Sequence, residues 1–408
     1  MTTTLPTLDS LRPNPHWAKL PLFDRKEWKT VRFGDVVENL NETERTPSGI
    51  DRFIGLEHLE PGSLHIKEWG DVADGTTFTR RCRPGQVLFG KRRAYQRKVA
   101  VAEFDALVSG DIYVFAPKCD RLLPELLPFL CLSERFFQHA VGTSAGSLSP
   151  RTNWSSLASF EFDLPPLDQQ RRIAEILWAV DVMQRAAITF LEDAKTSRKT
   201  TLLNRFAKLG LKYPKEKIRE VGHVQLGRQR APKYTTGIYS KPYLRVVNIL
   251  DGELDLRDVQ EMDFDERDFV RYILKPGDIL VTEGDITSPY NVGRSVIYRG
   301  EIPNCCFQNT LIRWRVSEKL ETDYAHLALQ DALYRGVFAA VASTTTVSHL
   351  GSERFGSVRL PIPPIIEQRK LCEEIAQLSQ LVDNQTTHSK QSTALVGQFI
   401  QALMGEKS

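Results

Sequence analysis

Two glycine-bounded motifs and two basic stretches carry the residue types and spacings that could do chemistry. Gly85-Gln86-Val87-Leu88-Phe89-Gly90-Lys91 has the spacing of a phosphate-cradling loop. That loop needs Ser or Thr after its lysine to hold Mg²⁺, and Arg92 stands there. Its Val-Leu-Phe interior reads as a strand, and no helix pattern opens behind it. Gly142-Thr143-Ser144-Ala145-Gly146 matches the G-x-S-x-G elbow of serine hydrolases. The elbow requires a strand before its serine and a helix after it. Here a helical pattern, Ser133–Val141, precedes and a polar run, Ser147–Asn153, follows, so the segment reads as a loop. The histidines show no metal-ligand spacing such as H-E-x-x-H, and there is no G-x-G-x-x-G. No catalytic residue and no metal ligand are assigned.

The basic stretches suit a different chemistry. From Arg80 to Lys98 the chain has eight basic residues and no acidic one: Arg80, Arg81, Arg83, Lys91, Arg92, Arg93, Arg97 and Lys98, with Tyr95 interleaved. Arg151 and Asn153 follow in the next polar loop. A second acid-free stretch holds Arg228, Arg230, Lys233, Lys241 and Arg245 among Tyr234, Tyr239 and Tyr243. Basic groups with aromatics and amides suit phosphate anchoring and base-edge reading on double-stranded DNA. The plainer reading is a solvated basic loop in each place.

The elements that would position these residues occur twice. Val31–Val36 recurs loosely at Glu220–Val224, with glycines offset by 188. Leu59-Glu60-Pro61-Gly62-Ser63-Leu64 recurs as Ile249-Leu250-Asp251-Gly252-Glu253-Leu254 at offset 190, and Pro84–Leu88 as Pro276–Leu280 at offset 192. The strongest pair is Leu164-Pro165-Pro166-Leu167-Asp168-Gln169-Gln170-Arg171-Arg172-Ile173 with Ile362-Pro363-Pro364-Ile365-Ile366-Glu367-Gln368-Arg369-Lys370-Leu371, at offset 198. Order is kept while the offset grows slowly, as in a duplication with small insertions. The period is too long for a solenoid, so each copy is a domain with its trailing segment.

Each trailing segment has helical periodicity. After Pro166, apolar or small residues fall at Ile173, Ile176, Val180, Met183, Ala187, Phe190 and Ala194, then at Leu202, Phe206 and Leu209, with Gly210 as a stop. After Pro364 the seam runs Leu371, Ile375, Leu378, Val382, Gln385, Ser389, Ser392, Val396, Phe399 and Leu403, polar in its middle. Each helix is about 40 residues, roughly 60 Å long at 1.5 Å per residue. Antiparallel pairing of the two would cover both seams; separate docking on their own domains is the alternative. The preceding blocks mix short strands with Pro-Gly and Asp-Gly turns, and helical patterns lie at Pro124–Val141 and Asp323–Val341. The fold class is mixed α/β with an internal pseudo-twofold duplication.

Composition agrees with this organisation. The 408 residues predict two to four domains at roughly 100–200 residues each. A net charge of +3 excludes a histone-like polycation but not a local DNA contact. No run of about 18 apolar residues exists, so no membrane contact is expected. The opening Met1–Pro6 lacks a signal-peptide pattern, and the cysteines (82, 119, 131, 305, 306 and 372) read as reduced thiols, which predicts a cytoplasmic protein.

With these residues in place, the chain resembles the specificity subunits of type I restriction-modification enzymes. The carriers are the two Pro-Pro helix starts, Pro165–Arg172 and Pro363–Lys370, supported by Trp28–Val36, Gly85–Tyr95 and Phe307–Arg313. The resemblance implies two target recognition domains, residues 1–163 (with 1–27 as an extended arm) and 211–361, each reading half of a bipartite site. It implies that helices 164–210 and 362–408 are an antiparallel ruler that docks partner subunits, with Pro165, Pro166, Gln170, Pro363, Pro364 and Gln368 at the docking starts. The partners would be two methyltransferase subunits using S-adenosylmethionine to methylate adenine and two restriction subunits using ATP and Mg²⁺. This chain would bind none of these cofactors and serve phage defence as a non-catalytic reader. The second copy departs from the first at Glu367 for Gln169 and Ser379 for Asp181. A hydrolase at Ser144 or a nucleotide enzyme at Lys91 would instead show turnover by the isolated chain. A protein-binding scaffold would be indifferent to charge reversal at Lys91, Arg92 and Arg93.

Overall fold

The larger sheet of the first copy is antiparallel, in the order Val37–Leu40, Ile112–Pro117, Val87–Gly90, Val99–Val101. Period-two alternation feeds two cores from its strands. Val87, Phe89, Val99, Tyr113 and Phe115 face one buried cluster, while Leu88, Ala100, Ile112 and Val114 face another. That explains why Val87–Gly90 is apolar throughout: both of its faces are covered. The second copy repeats the sheet as Gly222–Leu226, Leu311–Val316, Ile279–Thr282, Ser295–Ile297, again with a core on each side. The computed structural model describes residues 25–44, 49–234, 236–285, 291–344 and 348–404. The expected arm, residues 1–27, lies outside them except for its last three, as do residues 405–408 and the side chains of Ser392, Val396, Phe399 and Leu403.

Each copy also has a smaller sheet built on a parallel pair. Arg52–Ile54 pairs with Ala106–Val108, and Ser240–Leu244 with Cys306–Phe307. The copies diverge beside it. In the first, strand Arg80–Cys82 extends the small sheet; in the second, helix Glu266–Tyr272 occupies that stretch of chain. A two-stranded ribbon closes each copy, Lys29–Arg32 with Glu161–Leu164 and Lys215–Lys217 with Arg359–Pro361.

The expected helix at Pro124–Val141 is two helices, Leu127–Leu132 and Glu134–Gly142. Ser133 is extended between them and its hydroxyl caps the second, accepting from the Phe136 N–H at 3.3 Å. Its counterpart is Thr322–Tyr334 followed by Val337–Val341, broken at Gly336, whose φ is 71°.

The described residues divide into two units, one from 25–188 and 387–404, the other from 189–386. Helix Leu167–Lys212 passes through both, as does Ile365–Met404. Gly210 does not end the first of these. The helix continues to Lys212 and stops before Pro214, which disfavours helical backbone at Tyr213. Within the second unit Arg198 Nε donates to Ser379 Oγ at 2.7 Å and Arg205 Nη2 to Glu374 at 2.8 Å. One helix number rises as the other falls, so the pairing is antiparallel, with Leu202, Phe206, Leu371 and Ile375 in one core. Within the first unit Ile400 packs on the core that holds Ile173, Ala174 and Leu177. The expected seam fails in mid-helix, where Met183 and Phe190 are exposed. The spacing alone did not reveal that burial is confined to the two ends.

Candidate nucleic-acid interface

The first copy's basic loop begins where strand Val87–Gly90 ends. Ala94, buried, anchors a single 3₁₀ turn, Ala94–Gln96, and the arginines on either side of it have left-handed backbone: Arg93 at φ 52° and Arg97 at φ 57°. Such a conformation costs of order 1 kcal/mol for a residue with a Cβ, so the surroundings must enforce it. They do. The Arg93 N–H donates to the Pro150 carbonyl at 2.7 Å, Lys91 N–H to Asp111 O at 3.0 Å, and Thr152 N–H to Lys91 O at 3.0 Å. A loop tied this firmly to the 145–152 segment presents its cations in fixed positions.

Charge is concentrated around one carboxylate. Arg151 Nε reaches Asp111 at 2.8 Å and Arg92 Nη1 at 3.3 Å, while Arg92 Nη2 donates to Ser149 Oγ at 3.1 Å. The Arg151 hydrogen bond holds the Asp111 carboxyl below its ordinary range. Lys91 Nζ lies 4.9 Å above the Tyr113 ring. Burial lowers its pKa, and Arg80 and Arg151 lower it further. Lys91, Arg92 and Arg151 therefore share one carboxylate, an excess of positive charge suited to a phosphate. Tyr95 is 54% exposed beside them. No carboxylate among the described residues lies within ion-pair distance of Arg93.

Other members of the stretch serve the fold. Arg80 Nη1 donates to Ile112 O at 2.5 Å, Arg81 pairs with Asp105 at 2.8 Å, and Arg83 pairs with Glu42. Arg97 meets Glu134 at 2.5 Å, and Lys98 Nζ donates to Leu56 O at 2.6 Å. Asn153 caps helix Trp154–Ala158, its Oδ1 accepting from Ser156 N–H at 2.8 Å. Asp111, which organises the site, carries no sequence signal: it is 19 residues from Arg92 and 40 from Arg151.

In the second copy, Arg228 is buried rather than available. Its guanidinium donates to Asp263 O, pairs with Asp268 at 2.6 Å and stacks 3.7 Å from the Tyr234 ring centroid. Arg228 is thus a structural cation, because a phosphate could reach it only by displacing these partners. Arg230 is exposed, Lys233 Nζ lies 4.9 Å from the Tyr234 ring, and Lys241 Nζ lies 5.3 Å from Phe269. Hydrogen bonds from Lys233 and Arg228 lower the Tyr234 pKa. Arg245 pairs with Asp258. The two basic stretches are not equivalent: 228–241 follows the first strand of the larger sheet, while 91–98 follows Val87–Gly90.

The helix starts also differ from expectation. Gln170 is buried, its Nε2 donating to Arg121 O at 2.7 Å and Pro165 O at 2.8 Å, its Oε1 accepting from Leu123 N–H at 2.9 Å. Gln368 repeats this with Lys319 O at 2.9 Å, Pro363 O at 2.8 Å and Glu321 N–H at 2.8 Å. Both amides have three partners inside their own copy, so Gln170 and Gln368 clamp helix to domain and cannot offer a docking contact. Pro165 and Pro363 are buried; Pro166 and Pro364 are not, and their carbonyls accept the first helical hydrogen bonds. No group of three His, Cys, Asp or Glu among the described residues could hold a metal ion.

The chain is thus a duplicated mixed α/β domain with paired long helices and a rigid basic loop in its first copy. Residues 25–189 match the family model described as type I restriction modification DNA specificity domain. That match spans the first copy and the start of its long helix, and the curated relatives that the chain resembles are type I restriction enzyme specificity subunits. It is 21% identical over 314 residues to the EcoKI specificity subunit of Escherichia coli (strain K12), covering 72% of this chain and 68% of that protein. It is 26% identical over 171 residues to the Escherichia coli EcoDI specificity subunit, a match spanning 39% of this chain and only 36% of that relative's length. The specificity subunit of MjaVIII from Methanocaldococcus jannaschii is 18% identical over 392 residues, covering 88% of this chain and 87% of that one. Among solved structures, the fold matches a chain from work on complex assembly and conformational transition of the type I R-M system, at TM-score 0.62 and 18% identity, covering 93% of this chain and 98% of the other. It also matches the type I S subunit from M. genitalium, at TM-score 0.54 and 13% identity, covering 96% and 99%.

Proposed function

We propose that this chain is the non-catalytic reader of a type I restriction-modification complex, and that each α/β copy reads one half of a bipartite, asymmetric DNA target. The observation that carries the reading is one sheet topology written twice, with different chemistry on the loops. In this reading, two methyltransferase subunits methylate adenine using S-adenosylmethionine, and two restriction subunits cleave using ATP and Mg²⁺. The reader itself binds none of these and works in the cytoplasm; among its described residues no helix is long and apolar enough to cross a membrane. Ser144 serves the fold: its hydroxyl donates to the Ala140 carbonyl at 2.7 Å, finishing a helix end.

The test is co-expression with a methyltransferase subunit in a methylation-free host, followed by genome-wide sequencing of modified bases. Methyladenine in a two-part motif with a fixed gap is the expected result. A soluble complex that leaves no new modification would count against the reading. Charge reversal at Lys91, Arg92 and Arg93 is expected to abolish target binding; unchanged binding would favour a scaffold.

A further inference from the structure

The two Gln clamps fix residue equivalence between the copies on both the long helices and the helices they pack against. Gln170 with Leu123 corresponds to Gln368 with Glu321, both at offset 198. In the first copy Trp178 fills the space beside the clamp. Its indole meets Phe129 edge-on at 5.2 Å and His65 at 6.2 Å, and its Nε1–H donates to Glu125 O at 3.0 Å. His65 is itself held between Glu103 at 2.7 Å and Asp181 at 2.8 Å.

The second copy keeps the walls and removes the filling. Offset 198 turns Trp178 into Ala376, Phe129 into Leu327, Glu125 into Asp323 and Asp181 into Ser379. These four line a cavity of about 570 Å³, together with Ile375, Cys372 and others. That volume lies within the roughly 300–1,000 Å³ typical of small-molecule sites. The substitutions also bring in polar groups. His326 stands where the first copy has Pro128 and uses one ring nitrogen on Ser295 O at 3.0 Å. Arg198, half-buried on the rim, donates to Ser379 Oγ at 2.7 Å and to Gln330 Oε1 at 3.0 Å.

We infer that this cavity is a binding site for a planar, indole-sized aromatic group. Its apolar walls are Leu327, Ile375 and Ala376, at the positions of Phe129, Leu177 and Trp178 in the first copy. The first copy supplies this group from its own chain; the second takes it from outside.

The experiment uses the full chain with indole as probe, followed by ligand-observed saturation-transfer NMR and thermal unfolding. Saturation transfer is expected with the wild type, and a Tm rise of roughly 3–6 °C at about ten times the Kd. Ala376→Trp is expected to abolish both effects, because the new indole occupies the site. Ala376→Met, a smaller filler, gives the same loss if the Trp variant fails to fold. Absence of indole binding to the wild type, or binding that survives a folded filler variant, overturns the inference. A Gly-Trp-Gly peptide separates two sources of one chemistry. Peptide binding as tight as indole assigns the group to a side chain of another protein, and binding of indole alone assigns it to a free compound.

Discussion

Asp111 sets how much positive charge the first copy can offer. Removing its carboxylate frees Arg92 and Arg151, so Asp111→Asn is expected to tighten non-specific DNA binding and steepen its salt dependence. Each additional phosphate contact adds roughly 0.9 to the slope of log affinity against log salt. Lys91→Ala with Arg93→Ala should flatten that slope with little change in Tm, and a slope unchanged in titrations from low to moderate salt would remove the loop from the interface. The pH behaviour follows from the same group. Asp111 has a folded pKa below its unfolded one, so its stabilising contribution is complete above the ordinary carboxylate range. It is lost as pH falls through the folded value. Acid titration of stability should therefore show a shallower loss in Asp111→Asn, which itself costs about 1 kcal/mol at neutral pH.

The cysteines differ in the same way, by surroundings. Burial pushes the Cys82, Cys305, Cys306 and Cys372 thiols up to about 12 and raises Cys131 further, whereas hydrogen bonds from Arg121 lower Cys119. One fast thiol is expected with Ellman's reagent on the native chain, lost in Cys119→Ser. At this scale the sequence exposed the basic residues but not their counter-ions. Arg228 reads as a surface cation until folding brings Asp263, 35 residues away, and the Tyr234 ring onto it.

At the level of elements, the two Pro-Pro helix starts were legible and their purpose was not. Gln170 sits between Gln169 and Arg171, a setting that looks solvated, yet its amide closes three hydrogen bonds in the interior. Gln170→Ala and Gln368→Ala are each expected to cost about 2–3 kcal/mol in urea unfolding, since two carbonyls and one N–H lose their partner. A loss below about 0.5 kcal/mol would mean that water replaces the amide without penalty. The antiparallel sheets could be anticipated from alternation and turns, because hairpin contacts are local. The parallel pairs, such as Arg52–Ile54 with Ala106–Val108, join segments far apart in sequence and leave no periodic trace. The helix breaks at Ser133 and Gly336 were likewise masked by apolar spacing that continues across them.

At the scale of the whole molecule, the duplication was the most legible feature, because order and offset survive even where residue identity does not. What the offset conceals is that equal topology carries unequal loops. Basic residues follow Val87–Gly90 in one copy and Gly222–Leu226 in the other, and a strand in the first is replaced by helix Glu266–Tyr272 in the second. Under the proposed function, the two halves of the methylated motif are therefore expected not to be reverse complements, which the modified-base map reads directly. A palindromic motif would mean that the divergent loops do not read bases.

The closing ribbons have a consequence for inheritance. Each copy enters on one strand of its ribbon and leaves on the other, at Lys29 opposite Leu164 and at Lys215 opposite Pro361. The entry and exit of a copy are neighbours joined by backbone hydrogen bonds, and these depend little on side-chain identity. A crossover between genes that falls within the two ribbon strands would exchange one α/β copy whole, leaving the long helices intact. One genetic event then replaces the loops of a copy together with its core, with no intermediate that has to refold around a half-changed core.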